Sequence, residues 1–230
     1  MNPERKLSVI IVAGGRGARA GGELPKQFRA VGDKPMLMRT IEAFYAYDSR
    51  MHIVVVLPEG FESYWEQLCD KHRFRVPHHV TPGGETRFHS VKNGLELIGE
   101  EETVGVHDAA RPFVTGELIG RCFNTVFTHH CGVIPVVEEV NSVRELTLQG
   151  SRMVDRKLLR VVQTPQVFPA AALKSAYDTS YDPAFTDDAS VAERNGMHIM
   201  LVEGEASNLK ITTPFDFLIA AQYDKLMSKR

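Results

Sequence analysis

Leu7-Ser8-Val9-Ile10-Ile11-Val12-Ala13 runs directly into Gly14-Gly15-Arg16-Gly17-Ala18-Arg19-Ala20-Gly21-Gly22-Glu23-Leu24-Pro25-Lys26-Gln27. A short β-branched apolar run reads as a strand covered on both faces, and the glycines end it. Pro35 then opens a helix, because Leu37, Ile41, Phe44 and Tyr45 fall on one helical face. The same rhythm repeats outward. His52–Leu57 is a second strand, stopped by Pro58, and Phe61–Arg73 a helix. Pro82-Gly83-Gly84 is a turn before a helical stripe of Phe88, Val91, Leu95 and Ile98. Thr103–His107 is a third strand, Thr115–His130 a helix and Gly132–Val137 a fourth strand. Such alternation predicts a doubly wound α/β sheet, mostly parallel, with helices on both faces. Sheets of this kind bind ligands beyond the C-terminal ends of their strands, so the loops after Ala13, Val80 and His107 are where chemistry is expected.

From about 138 to 158 the rhythm breaks. Val143, Glu145, Leu146 and Leu148, then Gln149-Gly150, then Met153 and Val154 fit two strands around a glycine turn. The stretch is too poor in apolar residues for a core hairpin. It is either an ordinary surface hairpin or an arm that packs on a second subunit. Helices resume at Ala170–Tyr181, Asp187–Asn195 and Phe215–Met227, with strands near His198–Val202 and Leu209–Ile211. The whole chain, residues 1–230, reads as one domain carrying that hairpin.

Composition narrows the function classes. With 27 Lys+Arg against 29 Asp+Glu the net charge is -2, which argues against a nucleic-acid coat or a polybasic membrane binder. The first apolar run is too short to span a membrane, and no signal-peptide cleavage pattern follows it. Cys69, Cys122 and Cys131 are odd in number and form no C-x-x-C pair, so they read as reduced packing thiols in a cytoplasmic protein.

Four segments carry candidate chemistry. The first loop has five glycines with Arg16, Arg19 and Lys26 beside them. Glycines let backbone N–H groups close around phosphate oxygens, and the cations neutralise them. The loop is neither a Walker A sequence nor a well-formed dinucleotide fingerprint. In His107-Asp108-Ala109-Ala110-Arg111-Pro112, Asp108 stands past a strand end, where a carboxylate can hold Mg²⁺ against a nucleotide phosphate. A structural ion pair of Asp108 with Arg111 is the plain alternative. Lys210, inside the apolar run Leu209–Ile211, either snorkels or faces an anion. Thr186-Asp187-Asp188-Ala189-Ser190 reads as a helix cap, which explains it without further function. The adjacent pairs His78-His79 and His129-His130 lack metal-ligand spacing.

Taken together, A-G-G-x-G-x-R, L-P-K-Q-F, G-G-x-x-R-x-x-S-V, H-D-A-A-R-P, T-P-Q-x-F, T-D-D-A-S and N-x-K-I-T occur in order from about residue 8 to 213. This set resembles the 2-C-methyl-D-erythritol 4-phosphate cytidylyltransferases. The resemblance implies a Rossmann-like nucleotidyltransferase with a β-arm that clasps a second subunit, Mg²⁺ as cofactor and CTP as co-substrate. It further implies that Ala13, Gly14 and Gly15 hug the CTP phosphates and that Arg19 and Lys26 bracket the α-phosphate. Gly83, Gly84, Glu85 and Ser90 would surround cytosine and ribose, and Asp108 would serve metal and nucleotide. Ala109, Arg111, Thr164, Thr186 and Lys210 would meet the acceptor, with Lys210 also catalytic. Ser142 and Arg156 would reach from the arm into the partner's site. The first loop holds one residue more than the shorter family form, which leaves Arg16 and Arg19 in competition for one position. Asn141-Ser142 replaces a common Asp-Thr pair. A ribitol 5-phosphate cytidylyltransferase shares many of these motifs, and a non-catalytic nucleotide-binding regulator is the alternative of another class.

Overall fold

A computed structural model describes residues 5–15 and 24–227 of the chain. Its strands, in chain order, are β1 (Leu7–Val12), β2 (Ala30–Val31), β3 (Lys34–Pro35), β4 (His52–Leu57), β5 (His79–Pro82), β6 (Thr103–Asp108), β7 (Gly132–Glu138), β8 (Val143–Thr147), β9 (Gly150–Val154), β10 (Arg160–Val162), β11 (Gln166–Pro169) and β12 (Ile199–Glu203). The helices are α1 (Met36–Tyr47), α2 (Glu62–Lys71), α3 (Arg87–Leu95), α4 (Gly116–His129), α5 (Ala170–Tyr177), α6 (Asp188–Arg194) and α7 (Pro214–Met227).

The main sheet has the order β10-β7-β11-β6-β1-β4-β5, with β12 alongside β7. β1 is parallel to β4 and to β6, and β4 is parallel to β5. Alternate residues of these strands feed two cores, as period-two side-chain geometry requires. Val9, Ile11, Ile53, Val55 and Leu57 pack with α1, α2 and α4. Ile10, Val54, Val56, Val104 and Val106 face the other way and pack with α3, α5 and α6. The doubly wound architecture expected from the sequence is therefore present.

Two expectations need correction. Leu209–Ile211 is not a strand but an extended connection between β12 and α7. Ile211 N–H donates to the Ala110 carbonyl at 2.8 Å, as a strand residue would, but no ladder follows among the described residues. In addition, the sheet contains β10 and β11, which run antiparallel to β7 and β6 and which the apolar pattern did not reveal. The hairpin around Gly150 is present, with Val143 opposite Val154, and among the described residues its strands pair only with each other.

Chain order places the site. From β1 the chain winds outward through β4 to β5, then returns across β1 to β6. This reversal opens a crevice beyond the C-terminal ends of β1 and β6, where open α/β sheets take their ligands. Among the described residues no helix is long and apolar enough to cross a membrane.

Candidate active site

The crevice is floored by two glycine turns in contact. A Cβ on Gly14 would lie 2.9 Å from Ser90 Oγ, and one on Gly83 would lie 3.0 Å from the same oxygen and 3.1 Å from the Leu57 carbonyl. Neither position has room for a side chain. Ser90 Oγ donates to the Thr86 carbonyl (2.9 Å) and accepts from Gly84 N–H (3.2 Å), so this hydroxyl shapes the second turn from inside. The first turn is held by Gln27, which is 3% exposed. Its Nε2 donates to the carbonyls of Ala13 (2.5 Å) and Gly15 (3.2 Å). Lys26 sits on a single 3-10 turn with Nζ donating to the Ile211 carbonyl at 2.8 Å. Arg16 and Arg19 lie outside the described residues.

The turn after β6 is pinned at nearly every backbone group, as buried polar backbone must be. Ala109 N–H bonds Val12 O, Arg111 N–H bonds Asp108 O, and Ala110 O receives Ile211 N–H. The Ala109 carbonyl accepts from Thr40 Oγ1 of α1 (3.1 Å). Asp108 N–H donates to Thr164 Oγ1 at 3.1 Å. His107 beneath is fully buried, its ring edge-on to Phe44. Its Nε2 lies 3.1 Å from the Arg111 carbonyl, which can only accept, so Nε2 carries the hydrogen. Nδ1 is then an acceptor for the Thr164 hydroxyl at 3.1 Å. Burial pushes the His107 pKa down to about 4, against the upward pull of the hydrogen bond to the Arg111 carbonyl and of the Asp108 charge.

Asp108 is the electrostatic centre. Its carboxylate lies 2.8 Å from Lys210 Nζ, 3.5 Å from Arg87 Nε and 3.7 Å from Arg111 Nε. Burial by itself would raise its pKa. Arg87, Lys210 and Arg111 outweigh that and hold it below the usual carboxylate range. The lysine inside the apolar run thus faces an anion. Arg111 gives its Nη1 to the Asn208 carbonyl (2.7 Å) and Nη2 to the Val162 carbonyl (3.3 Å), and its buried Nε has no hydrogen-bond partner among the described residues.

Two cavities meet at Asp108. The larger, about 370 Å³, is lined by Ala13, Gly14, Gly15, Lys26, Gly84, Glu85, Ser90 and Ala109 among others. The second, about 280 Å³, is lined by Arg111, Thr164, Thr186 and neighbours. Asp108, Arg87 and Lys210 belong to both. Gly83 stands behind the first cavity as the partner of Gly14. Ser142 and Arg156 line neither cavity; both are exposed on or beside the hairpin, and Arg156 donates to the Val140 carbonyl. Arg87, Gln27 and Asn208 were not singled out from the sequence, although all three lie within the quoted motifs. Arg87 carried a signal. It is the first residue of α3, where the helix dipole disfavours a cation, and such a local violation marks a tertiary demand.

The family model for IspD, 2-C-methyl-D-erythritol 4-phosphate cytidylyltransferase, matches residues 7–225. The chain is 55% identical over 212 residues to the 2-C-methyl-D-erythritol 4-phosphate cytidylyltransferase of Phocaeicola vulgatus, covering 92% of this chain and 96% of the relative. It is 54% identical over 216 residues to that of Bacteroides thetaiotaomicron, covering 94% and 98%. The crystal structure of the enzyme of that name from Thermus thermophilus superposes with a TM-score of 0.76 at 31% identity, over 96% of this chain and 99% of that one. From its motifs through its fold to these relatives, the chain belongs to the 2-C-methyl-D-erythritol 4-phosphate cytidylyltransferase family.

Proposed function

We propose that the chain transfers the cytidylyl group of CTP to 2-C-methyl-D-erythritol 4-phosphate, giving 4-diphosphocytidyl-2-C-methyl-D-erythritol and pyrophosphate. The observation that carries this reading is the Asp108 carboxylate amid Lys210, Arg87 and Arg111, at the wall common to two cavities. The larger cavity would take CTP. Its triphosphate would lie along Ala13, Gly14 and Gly15, with cytosine and ribose towards Gly83, Gly84, Glu85 and Ser90. The second would take the acceptor, whose phosphate meets Lys210 and whose polyol meets Thr164 and Thr186, with Ala109 reached across the boundary with the larger cavity. Arg111, with one N–H of each Nη group given to a carbonyl, would act there as a fixed charge.

The chemistry needs no base. A phosphate monoester is mostly dianionic near neutral pH. One of its oxygens attacks the α-phosphorus of CTP in line, while the bond to the β-phosphate oxygen breaks and its electrons leave with pyrophosphate. No proton has to be removed first, in keeping with a buried His107 whose two nitrogens are both engaged. The barrier is the approach of two anions. Lys26, Lys210 and, by resemblance, Arg19 lower it by placing positive charge before the reactants arrive.

Asp108 fits Mg²⁺ in one mode only. Among the described residues there is no cluster of three or more candidate ligand side chains, and one oxygen of Asp108 already faces Lys210. Mg²⁺ is commonly held by one or two carboxylates plus substrate phosphates and water. Asp108 and the CTP phosphates would hold it so. When bound, the ion would neutralise phosphate charge.

The hairpin supports a homodimer. Leu146 is 85% exposed, Leu148 107% and Met153 73%, on a two-stranded ribbon that is marginal alone. A second copy would cover them, and Ser142 and Arg156 would then serve the partner's site.

The test is pyrophosphate release from CTP with Mg²⁺, with methylerythritol 4-phosphate and ribitol 5-phosphate compared side by side. Turnover with the former is expected. Turnover with ribitol 5-phosphate alone would overturn the acceptor, and silence with both would overturn the reaction.

A further inference from the structure

The T-D-D-A-S segment does more than cap a helix. Asp187 is the N-cap of α6, in a capping box with Ser190. The next residue, Asp188, is fully buried, and capping gives no reason for that. Its two oxygens receive Arg87 Nη1 (3.0 Å) and Nη2 (2.6 Å) in a bidentate pair. Tyr177 of α5, 2% exposed, donates its hydroxyl to Oδ1 at 2.7 Å. With both Nη groups held, Arg87 still presents Nε to Asp108 at 3.5 Å. Arg87 begins α3, directly after Gly84, Glu85 and Thr86 of the larger cavity. Asp188 begins α6, directly after Thr186 and Asp187 of the second cavity. The pair therefore ties one wall of each cavity to the other across 101 residues of sequence.

We propose that the Tyr177–Asp188–Arg87 chain is a positioning device that fixes the shared wall of the two cavities, so that Asp188 sets the placement of the two reacting phosphates through Arg87. The argument is geometric. Arginine matches a carboxylate bidentately in a fixed plane, which locks its direction as well as its charge. An arginine freed from Asp188 would turn its Nη groups on Asp108 or on bound phosphate, and the cavities would lose their common register. Neither Tyr177 nor Asp188 lines either cavity, so both act only through Arg87.

The inference rests on the reaction proposed above, and the test separates the two. Initial rates with varied CTP and methylerythritol 4-phosphate are measured for the wild type, Asp188→Asn, Arg87→Lys, their double variant and Tyr177→Phe. Thermal unfolding of each is followed in parallel. An inactive wild type would refute the reaction, whatever the variants do. With an active wild type, Asp188→Asn is expected to lower kcat per folded enzyme by about tenfold or more, since misplacement of about 1 Å costs on the order of a hundredfold. KM for each substrate should change by less than about threefold. The double variant should be no worse than the poorer single variant, because one route cannot be broken twice. Tyr177→Phe keeps the ion pair and the aromatic packing, and is expected to lower kcat by about threefold with folding retained. Unchanged kcat in the folded variants, or Arg87→Lys and Asp188→Asn effects that multiply, would overturn the proposal. If Asp188→Asn does not fold, Tyr177→Phe decides alone, and wild-type kcat there would overturn it.

Discussion

Thr164→Val replaces a hydroxyl by a methyl of nearly the same shape, at a position only 5% exposed. The hydroxyl has two jobs. It accepts Asp108 N–H at 3.1 Å and donates to His107 Nδ1 at 3.1 Å. Valine can do neither, so a buried donor and a buried acceptor both lose their partner. Each such loss costs roughly 1–3 kcal/mol for groups buried behind Thr164 as the His107 ring is. The sum is about 2–4 kcal/mol after some gain from the added methyl. For a domain of this size each kcal/mol moves the melting temperature by about 2–4 °C, so a fall of about 4–16 °C is expected. Thr164→Ser keeps the hydroxyl and should fall less than half as far. Because the released N–H belongs to Asp108, kcat of the folded valine variant should also drop severalfold, while serine stays near wild type. Thermal unfolding by circular dichroism and pyrophosphate release read the two effects. Equal stability of the valine and serine variants would refute the assigned bonding and, with it, the neutral tautomer of His107.

Other tests follow from the same geometry. His107 holds its proton less tightly folded, at about 4, than unfolded, near 6.5, so protonation favours the unfolded chain between those values. Stability should be highest above pH 6.5 and decline towards pH 4 by up to about 1.4 kcal/mol per pH unit; denaturant unfolding that is flat from pH 7 to 4.5 would contradict this. Lys26→Ala should lower kcat by about 10²–10³, and a near-normal rate would remove Lys26 from the reaction. Gln27→Leu leaves the Ala13 and Gly15 carbonyls without their donor and should raise KM for CTP about tenfold, seen in initial rates as nucleotide is varied. Leu148→Asp on the exposed hairpin should shift sedimentation from dimer to monomer, whereas an unchanged dimer would place the interface elsewhere.

Much of this protein is local in the physical sense, and that part is legible from the chain. Apolar runs of six residues such as Leu7–Val12 and His52–Leu57 need covering on both faces, and a helix between them supplies it. The glycine turns, the exposed hairpin and the Asp187 cap announce themselves because backbone geometry and capping are settled within a few residues. β10 and β11 did not, because runs of three and four residues around Pro165 are too short for a period to show. Leu209–Ile211 misled in the opposite sense. It is apolar like a strand, but it is held by single bonds to Ala110 and Lys26 and by the burial of Ile211.

The amino-acid sequence by itself determined the family, the parallel frame and which loops carry the cations. Only the tertiary structure decided which charge meets which. Asp108 finds Lys210 because Ile211 is bonded to the turn after β6, and Arg87 finds Asp188 because α3 and α6 cover the same face of the sheet. An ion pair depends on distances of a few ångströms and on the exclusion of water, and neither is written in residue spacing. For the same reason Asp188 looks like a helix cap in the sequence and becomes a buried anchor in the fold.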